Sequence, residues 1–351
     1  MIKKKFWKNK KVLITGHTGF KGRWLTILLK NLGANVNGIS LKEKKNFRQL
    51  EYINFLEKKN SFNIDIRKKN DVNKVIKKIN PEIIIHMAAQ SKVLDGYNFP
   101  IKTFETNFMG TVNILETSVK LKKVKTILVV TTDKVYENIN KIKKFSENDK
   151  LGGDDPYSAS KASTEIILNY YRKFFPEKKI ISVRAGNIIG GGDFGSNRII
   201  PDFIKAWKSK KKLIIRNPKS TRPWQYVLDV LLYYTKIIEK TYKSQKFSPS
   251  YNIGPFNSGL NVYKLVLKLK YHFKDLKISI KQKNTFKEKK HLNLDTKKIV
   301  NFLKLKNIIK IDERIQRTAK IYKQILNKKI NSNIDSIYKE EILKFIKENN
   351  G

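Results

Sequence analysis

An α/β protein is the fold class this sequence predicts: a doubly wound parallel sheet with a smaller, interleaved C-terminal substrate-binding part. Three observations predict it. A short apolar strand pattern runs through three glycines straight into a helix. Strand and helix patterns then alternate as far as residue 184. Beyond Gly191 the alternation loosens, and Pro201, Pro218, Pro223 and Pro255 punctuate shorter elements.

Val12, Leu13 and Ile14 form the first strand, an apolar and partly β-branched run. Gly16, Gly19 and Gly22 follow, and then Trp24, Leu25, Ile27, Leu28, Leu29 and Leu32 recur at helical spacing. Strand, glycine turn and helix are the context in which a dinucleotide fingerprint has physical content. Gly16 permits the tight turn, Gly19 lets backbone approach a pyrophosphate, and Gly22 allows the helix to pack on the strand. The helix N-terminus offers N–H groups and a positive dipole end to phosphate. Gly16, Thr18, Gly19, Phe20, Lys21 and Gly22 are therefore the first cofactor-binding candidates. Their spacing, G-x-x-G-x-x-G, resembles the extended short-chain dehydrogenase/reductase superfamily, which implies a Rossmann sheet.

Further strands are expected at residues 35–41, 61–66, 82–86, 126–131 and 179–184, with helices at 70–79, 103–121 and 157–174. Ligands of such a sheet sit at the carboxyl ends of its strands. The expected division is an NAD(P)-binding Rossmann domain over 1–190, a substrate-binding domain over 191–330, and a lysine-rich tail over 331–351. The tail past Asn331 reads as a peripheral helix.

The 351 residues are 40% hydrophobic, ample for a core. No run of about 18 apolar residues occurs, so no membrane partner is expected. The basic opening, residues 1–11, leads directly into the first strand without a signal-peptide segment, and the chain has no cysteine, so a cytoplasmic protein is expected. Four histidines, His17, His86, His272 and His291, give a metal site little to build on, and none is expected. The formal charge of +45 raises nucleic-acid binding. The excess is nearly all lysine spread along the chain, with runs at 208–212 and 287–290, and no arginine-rich arm, zinc spacing or RNA-binding aromatic signature accompanies it. Nucleic acid is therefore not the expected partner; an anionic small molecule is.

Two clusters carry acid–base chemistry. Tyr157 and Lys161 stand four residues apart on one helix face, where an ammonium would lower the phenol pKa and make Tyr157 a proton acceptor for an alcohol. Thr132, Asp133 and Lys134 follow the fifth strand. An Asp beside a Lys in a closed site can supply an acid and a base if burial separates their pKa values.

The order of these motifs is similar to that of CDP-glucose 4,6-dehydratases. The resemblance rests on residues 6–11 with the glycine turn, on His86-Met87-Ala88-Ala89-Gln90, on Thr132-Asp133-Lys134, and on 155–161. The run 184–193 and Arg222-Pro223-Trp224-Gln225 complete it. It implies that Tyr157 takes the sugar O4 proton as hydride leaves C4, that Asp133 serves the departing C6 hydroxyl, and that Lys134 handles the C5 proton. It further implies NAD as cofactor, with CDP-glucose as substrate and surface-polysaccharide deoxysugar synthesis as setting. Thr132 would bond the O4 region, Asp65 and Ile66 would meet the adenine, and Ala88, Ala89 and Gln90 would line the cofactor. Lys161 would reach the nicotinamide ribose, while Asn187, Arg198 and Arg222 would hold the nucleotide diphosphate.

The chain departs from the pattern in places. Enzymes acting on dTDP-glucose usually carry Glu where this chain has Lys134. The second strand ends without the acid that grips an NAD ribose, and Lys42, Lys44 and Lys45 follow, so NADP stays open. Tyr226 stands where His is expected, and Asn197 where Asp is. A nucleotide-sugar 4-epimerase would share the fold, NAD, Tyr157 and Lys161 but has no use for Asp133 and Lys134. Finally, Phe104, Phe108, Val112, Leu115, Ile166, Leu168, Tyr171 and Phe174 exceed what one sheet face needs, and superfamily pairing of such helices implies a homodimer.

Overall fold

A computed structural model describes residues 2–42, 55–137, 143–244, 247–255, 259–281, 293–304, 309–327 and 334–350. Lys44, Lys45, His291 and the lysine run at 287–290 lie outside the described residues.

In chain order the elements that position the site are β1 (Lys11–Thr15), α1 (Phe20–Asn31), β2 (Asn35–Ser40), β3 (Ser61–Asn63) and α2 (Lys69–Ile79). There follow β4 (Ile83–His86), α3 (Gly110–Val119), β5 (Thr126–Val130), α4 (Pro156–Phe174) and β6 (Lys179–Ala185). The later part adds α5 (Ile199–Lys208), α6 (Val227–Thr241), β7 (Ser250–Ile253), α7 (Val262–His272), α8 (Ile311–Asn327) and α9 (Asp335–Asn350). All seven strands pair in parallel in the order β7-β6-β5-β4-β1-β2-β3. This is the doubly wound sheet the alternation predicts.

Burial on both faces explains why the central strands are apolar throughout. Val12, Ile14, Ile83, Ile85, Leu128 and Val130 enter one core, with α1, α6 and α9. Leu13, Ile84, Ile127 and Val129 enter the other, with α2, α3 and α4. A slip of one residue would exchange the two sets, and each fully buried Leu or Ile contributes roughly 1.5–3 kcal/mol, so the register is tightly held. A third core, formed by Ile189, Phe203, Trp224, Leu265, Leu269, Phe273 and Tyr322 among others, belongs to the later part. β7 returns from that part to complete the sheet beside β6.

Three expectations change. The helix expected over 103–121 is a helix at Pro100–Phe104, a π-helical turn at Glu105–Met109, and then α3. The wide turn carries Asn107, whose amide donates to the Gln90 carbonyl (3.0 Å) and Ser160 Oγ (2.9 Å), tying it to the loop after β4 and to α4. The third strand ends early, because residues 65–68 turn, with the Lys68 N–H donating to the Asp65 carbonyl. The tail helix is not peripheral. Tyr338, Ile342 and Phe345 of α9 are buried, and the Tyr338 ring lies 4.5 Å from that of Trp24 in α1. A Cβ at Gly192 would sit 1.9 Å from the Tyr338 hydroxyl, and φ there is +84°, so glycine is required where α9 closes over the sheet.

Candidate active site

The carboxyl edge of β1 folds as the glycine spacing requires. Gly16 has φ +77°, and a Cβ at Gly22 would lie 2.1 Å from the Gly16 carbonyl oxygen. Helix α1 starts at Gly19 with no side-chain cap and no acidic residue in its first turn. Its N–H groups are thus left for an anion, and the loop fits a dinucleotide diphosphate. Lys21 reaches toward the centre of the site, its Nζ 3.5 Å from the Tyr234 hydroxyl of α6. Burial, with Lys161 and Arg198 adding positive charge, pushes its pKa down to about 7. Thr18 donates to Ser40 Oγ at the end of β2 (3.1 Å), where the usual ribose-gripping acid is missing. Phe20 packs against the first core.

His86 orders the neighbouring strand ends. Its Nε2 lies 2.9 Å from Thr111 Oγ1, which itself donates to the Asn107 carbonyl, so Nε2–H is the donor. Nδ1 then accepts from Thr15 Oγ1 (2.6 Å), and Thr15 accepts the N–H groups of Met87 and Ala88 (3.1 Å each). This chain of bonds sets Ala88 beside the glycine turn, and Gln90 is held through Asn107 and Thr103. Burial keeps His86 neutral, with its pKa pushed down to about 3.

Asp65 and Ile66 follow β3. Both carboxylate oxygens of Asp65 are taken by Arg67, and the Ile66 side chain is buried against the Gly110 face of α3. The structure therefore occupies the Asp65 carboxylate within its own turn.

Beyond β5, a short turn places Thr132, Asp133 and Lys134, with Thr132 donating to Asp133 Oδ1 (3.0 Å). Asp133 is buried, and its Oδ2 has no hydrogen-bond partner among the described residues. Burial raises its pKa, against the pull of Lys134, Thr132 and Arg222. Lys134 is half-buried, so burial does distinguish the two neighbours.

Helix α4 begins at the Asp155 cap, whose Oδ1 accepts the Ser158 N–H (3.0 Å). It presents Tyr157 and Lys161 on one face, as their spacing predicts. The electrostatics differ from expectation. Tyr157 is pushed up to about 12, chiefly by burial, with Thr132 and Arg198 opposing the shift. Lys161 instead donates from Nζ to the Val130 carbonyl (3.1 Å), and burial pushes its own pKa down to about 8.

The later part supplies the far wall. Arg198 is held by both oxygens of Asp193 (3.1 and 3.0 Å) and donates to Ser91 Oγ (2.8 Å). Arg222 is buried and faces Asp133, with Nη1 on the Thr221 carbonyl (2.9 Å). Asn187 accepts the Gln225 N–H through its backbone oxygen (2.9 Å). Asn197 has φ +61°, a conformation asparagine tolerates. Tyr226 points into the protein and donates to Glu341 of α9 (2.9 Å), so the departure from His there is an internal packing feature. Sequence reasoning passed over Thr15, Asn107, Asp193 and Glu165. For Glu165 a signal existed, since it follows Lys161 by one more four-residue step on the same helix face.

The sequence model of the NAD dependent epimerase/dehydratase family matches residues 12–254. The chain is 40% identical over 264 residues to the CDP-glucose 4,6-dehydratase of Salmonella typhimurium, covering 73% of this chain and 74% of that one. It is 32% identical over 259 residues to the dTDP-D-glucose 4,6-dehydratase of Dictyostelium discoideum, covering 70% and 58%. Among solved structures, an epimerase of Methanothermobacter thermautotrophicus superposes with a TM-score of 0.79 at 22% identity, over 92% of this chain and 96% of that one. A Bacillus anthracis dTDP-glucose 4,6-dehydratase in complex with NAD gives 0.73 at 22%, over 90% and 97%. At such identities the structural likeness is one of fold.

Proposed function

Because the chain belongs to the NAD dependent epimerase/dehydratase family, we propose that it is a nucleotide-sugar 4,6-dehydratase whose substrate is CDP-glucose. The observation that carries this reading is the corner next to Tyr157 formed by buried Thr132 and Asp133 and half-buried Lys134. Oxidation at C4 needs only Tyr157 and Lys161. Loss of a hydroxyl from C6 needs a further acid and base, and this corner supplies both. The cytidine nucleotide is supported by the likeness to the Salmonella enzyme.

NAD, when bound, supplies the reversible electron acceptor that allows C4 to become a ketone and is restored within the same cycle. The 16–22 loop would hold its diphosphate and Lys161 its nicotinamide ribose, with Asp65, Ile66 and Ala88 to Gln90 toward the rest. Tyr157 removes the O4 proton as the phenolate, a form that binding must favour against the burial that raises its pKa, while Thr132 orients that oxygen. The ketone acidifies the C5 proton, which Lys134 takes. Asp133, kept protonated more readily by burial, donates to the C6 hydroxyl, which leaves as water. Asn187, Arg198 and Arg222 hold the nucleotide diphosphate, in a site where Lys161 and Arg198 already supply positive charge.

The same reading includes a cytoplasmic homodimer serving deoxysugar synthesis for surface polysaccharide. Ile101, Phe104, Ile166, Tyr170 and Phe174 are exposed on adjacent helical segments, which supports pairing there. Leu115, Leu168 and Tyr171 are in the second core and take no part.

The test is incubation of the purified protein with CDP-, dTDP-, UDP- and GDP-glucose in deuterated water. A 4-keto product with a C6 methyl group and deuterium at C5, formed fastest from CDP-glucose, is expected. Change at C4 alone would make the protein a 4-epimerase and overturn the reading.

A further inference from the structure

Tyr157, Lys161 and Glu165 lie at four-residue steps on one face of α4, and the last two meet the end of β5. Lys161 holds the Val130 carbonyl, and Glu165 Oε1 accepts from Thr131 Oγ1 (2.5 Å). Two consecutive residues of the strand end, Val130 and Thr131, are thus tied to the helix, just before Thr132, Asp133 and Lys134. Glu165 also binds β6: its Oε2 accepts from Ser182 Oγ (2.7 Å) and Arg184 Nη2 (3.0 Å). Arg184 in turn donates to the Tyr136 hydroxyl (2.8 Å), and Tyr136 donates to Asn252 of β7 (2.6 Å). The Glu165 side chain is 1% exposed and that of Arg184 5%.

A buried ion pair is a poor way to gain stability, since apolar residues of the same volume do as well. Its use here is geometric. We propose that Glu165 is a positioning residue of the reaction: it fixes the helix bearing Tyr157 and Lys161 against the strand end bearing Thr132, Asp133 and Lys134. Glu165 is the carboxylate that raises the Lys161 pKa against burial. Among the described residues, Lys21 of α1 and His86 of β4, the latter neutral, also feel the Lys161 charge, and Tyr157 stands one turn before it on α4. Arg172, on α4 itself, and Arg184, on β6, are the cations near Glu165.

This inference rests on the dehydratase reading, and wild-type protein assayed alongside separates the two: no product from wild type defeats that reading, whereas an active wild type makes the variants decisive. Glu165→Gln alone would strand Arg184, so the test uses Glu165→Gln/Arg184→Met, which removes both charges. The expected result is a folded protein with KM within about twofold, kcat lower by on the order of 10–100-fold, and an alkaline decline of kcat displaced to lower pH. The displacement follows because Lys161 without Glu165 gives up its proton sooner. Glu165→Asp should return the alkaline limb to its wild-type position. Should the double variant fail to fold, Thr131→Val cuts the strand contact and keeps the ion pair, and should lower kcat several-fold at unchanged KM. Wild-type kcat and pH profile in a folded double variant would overturn the proposal, as would wild-type kcat in Thr131→Val or a loss expressed only in KM.

Discussion

Asp133 and Glu165 are both buried carboxylates at the end of β5, and the protein treats them in opposite ways. Glu165 accepts hydrogen bonds from Thr131, Ser182 and Arg184, and its pKa is held below the usual range. Asp133 keeps one oxygen without a partner among the described residues, and burial raises its pKa. Saturation makes a carboxylate rigid and inert; an unmet oxygen leaves it ready to take and give a proton. The difference separates a group that holds the site from one that reacts in it.

Five substitutions sharpen or break this contrast. Arg184→Met leaves the Glu165 charge buried without its cation and should destabilise the protein by about 3–5 kcal/mol, read as a fall in the urea midpoint. Asp133→Asn should do the reverse. It keeps the fold at wild-type stability or slightly above it, since a costly buried acid is removed, while turnover drops by a factor on the order of 100 or more. If both variants lose stability equally, the contrast is wrong.

Tyr157→Phe keeps the ring and should lower turnover by roughly 100-fold or more without releasing the cofactor. Near-normal activity would remove Tyr157 from its role. Lys134→Met tests the partner of Asp133. C4 oxidation should continue while dehydration stops, so the near-ultraviolet absorbance of reduced nicotinamide should accumulate on adding substrate. Tyr157→Phe should show no such signal. Normal turnover in Lys134→Met would mean that the C5 proton is handled elsewhere.

The smallest effect concerns His86, saturated like Glu165 but neutral. Its pKa is pushed down to about 3, whereas in the unfolded chain it returns to about 6.5. Below that pH the unfolded chain binds a proton that the native state refuses, so stability is lost as pH falls from about 6.5 toward 3, by at most about 1.4 kcal/mol per unit. Urea midpoints between neutral and mildly acidic pH should show a shallower decline in His86→Gln than in the wild type.

Much of the site is local and so could be read from the chain. The glycine turn depends on sterics within seven residues, the Tyr157 and Lys161 pair on one helical turn, and the sheet on alternating apolar runs. What needed the tertiary structure depends on which distant groups come together. Burial lifts the Tyr157 pKa, and Lys161 donates to the Val130 carbonyl. Tyr226 is drawn inward by Glu341, 115 residues away, and the tail helix that carries Glu341 closes on Trp24. Composition and spacing name the groups by themselves; desolvation and the partners brought in by folding decide their charge, and those are properties of the packed chain.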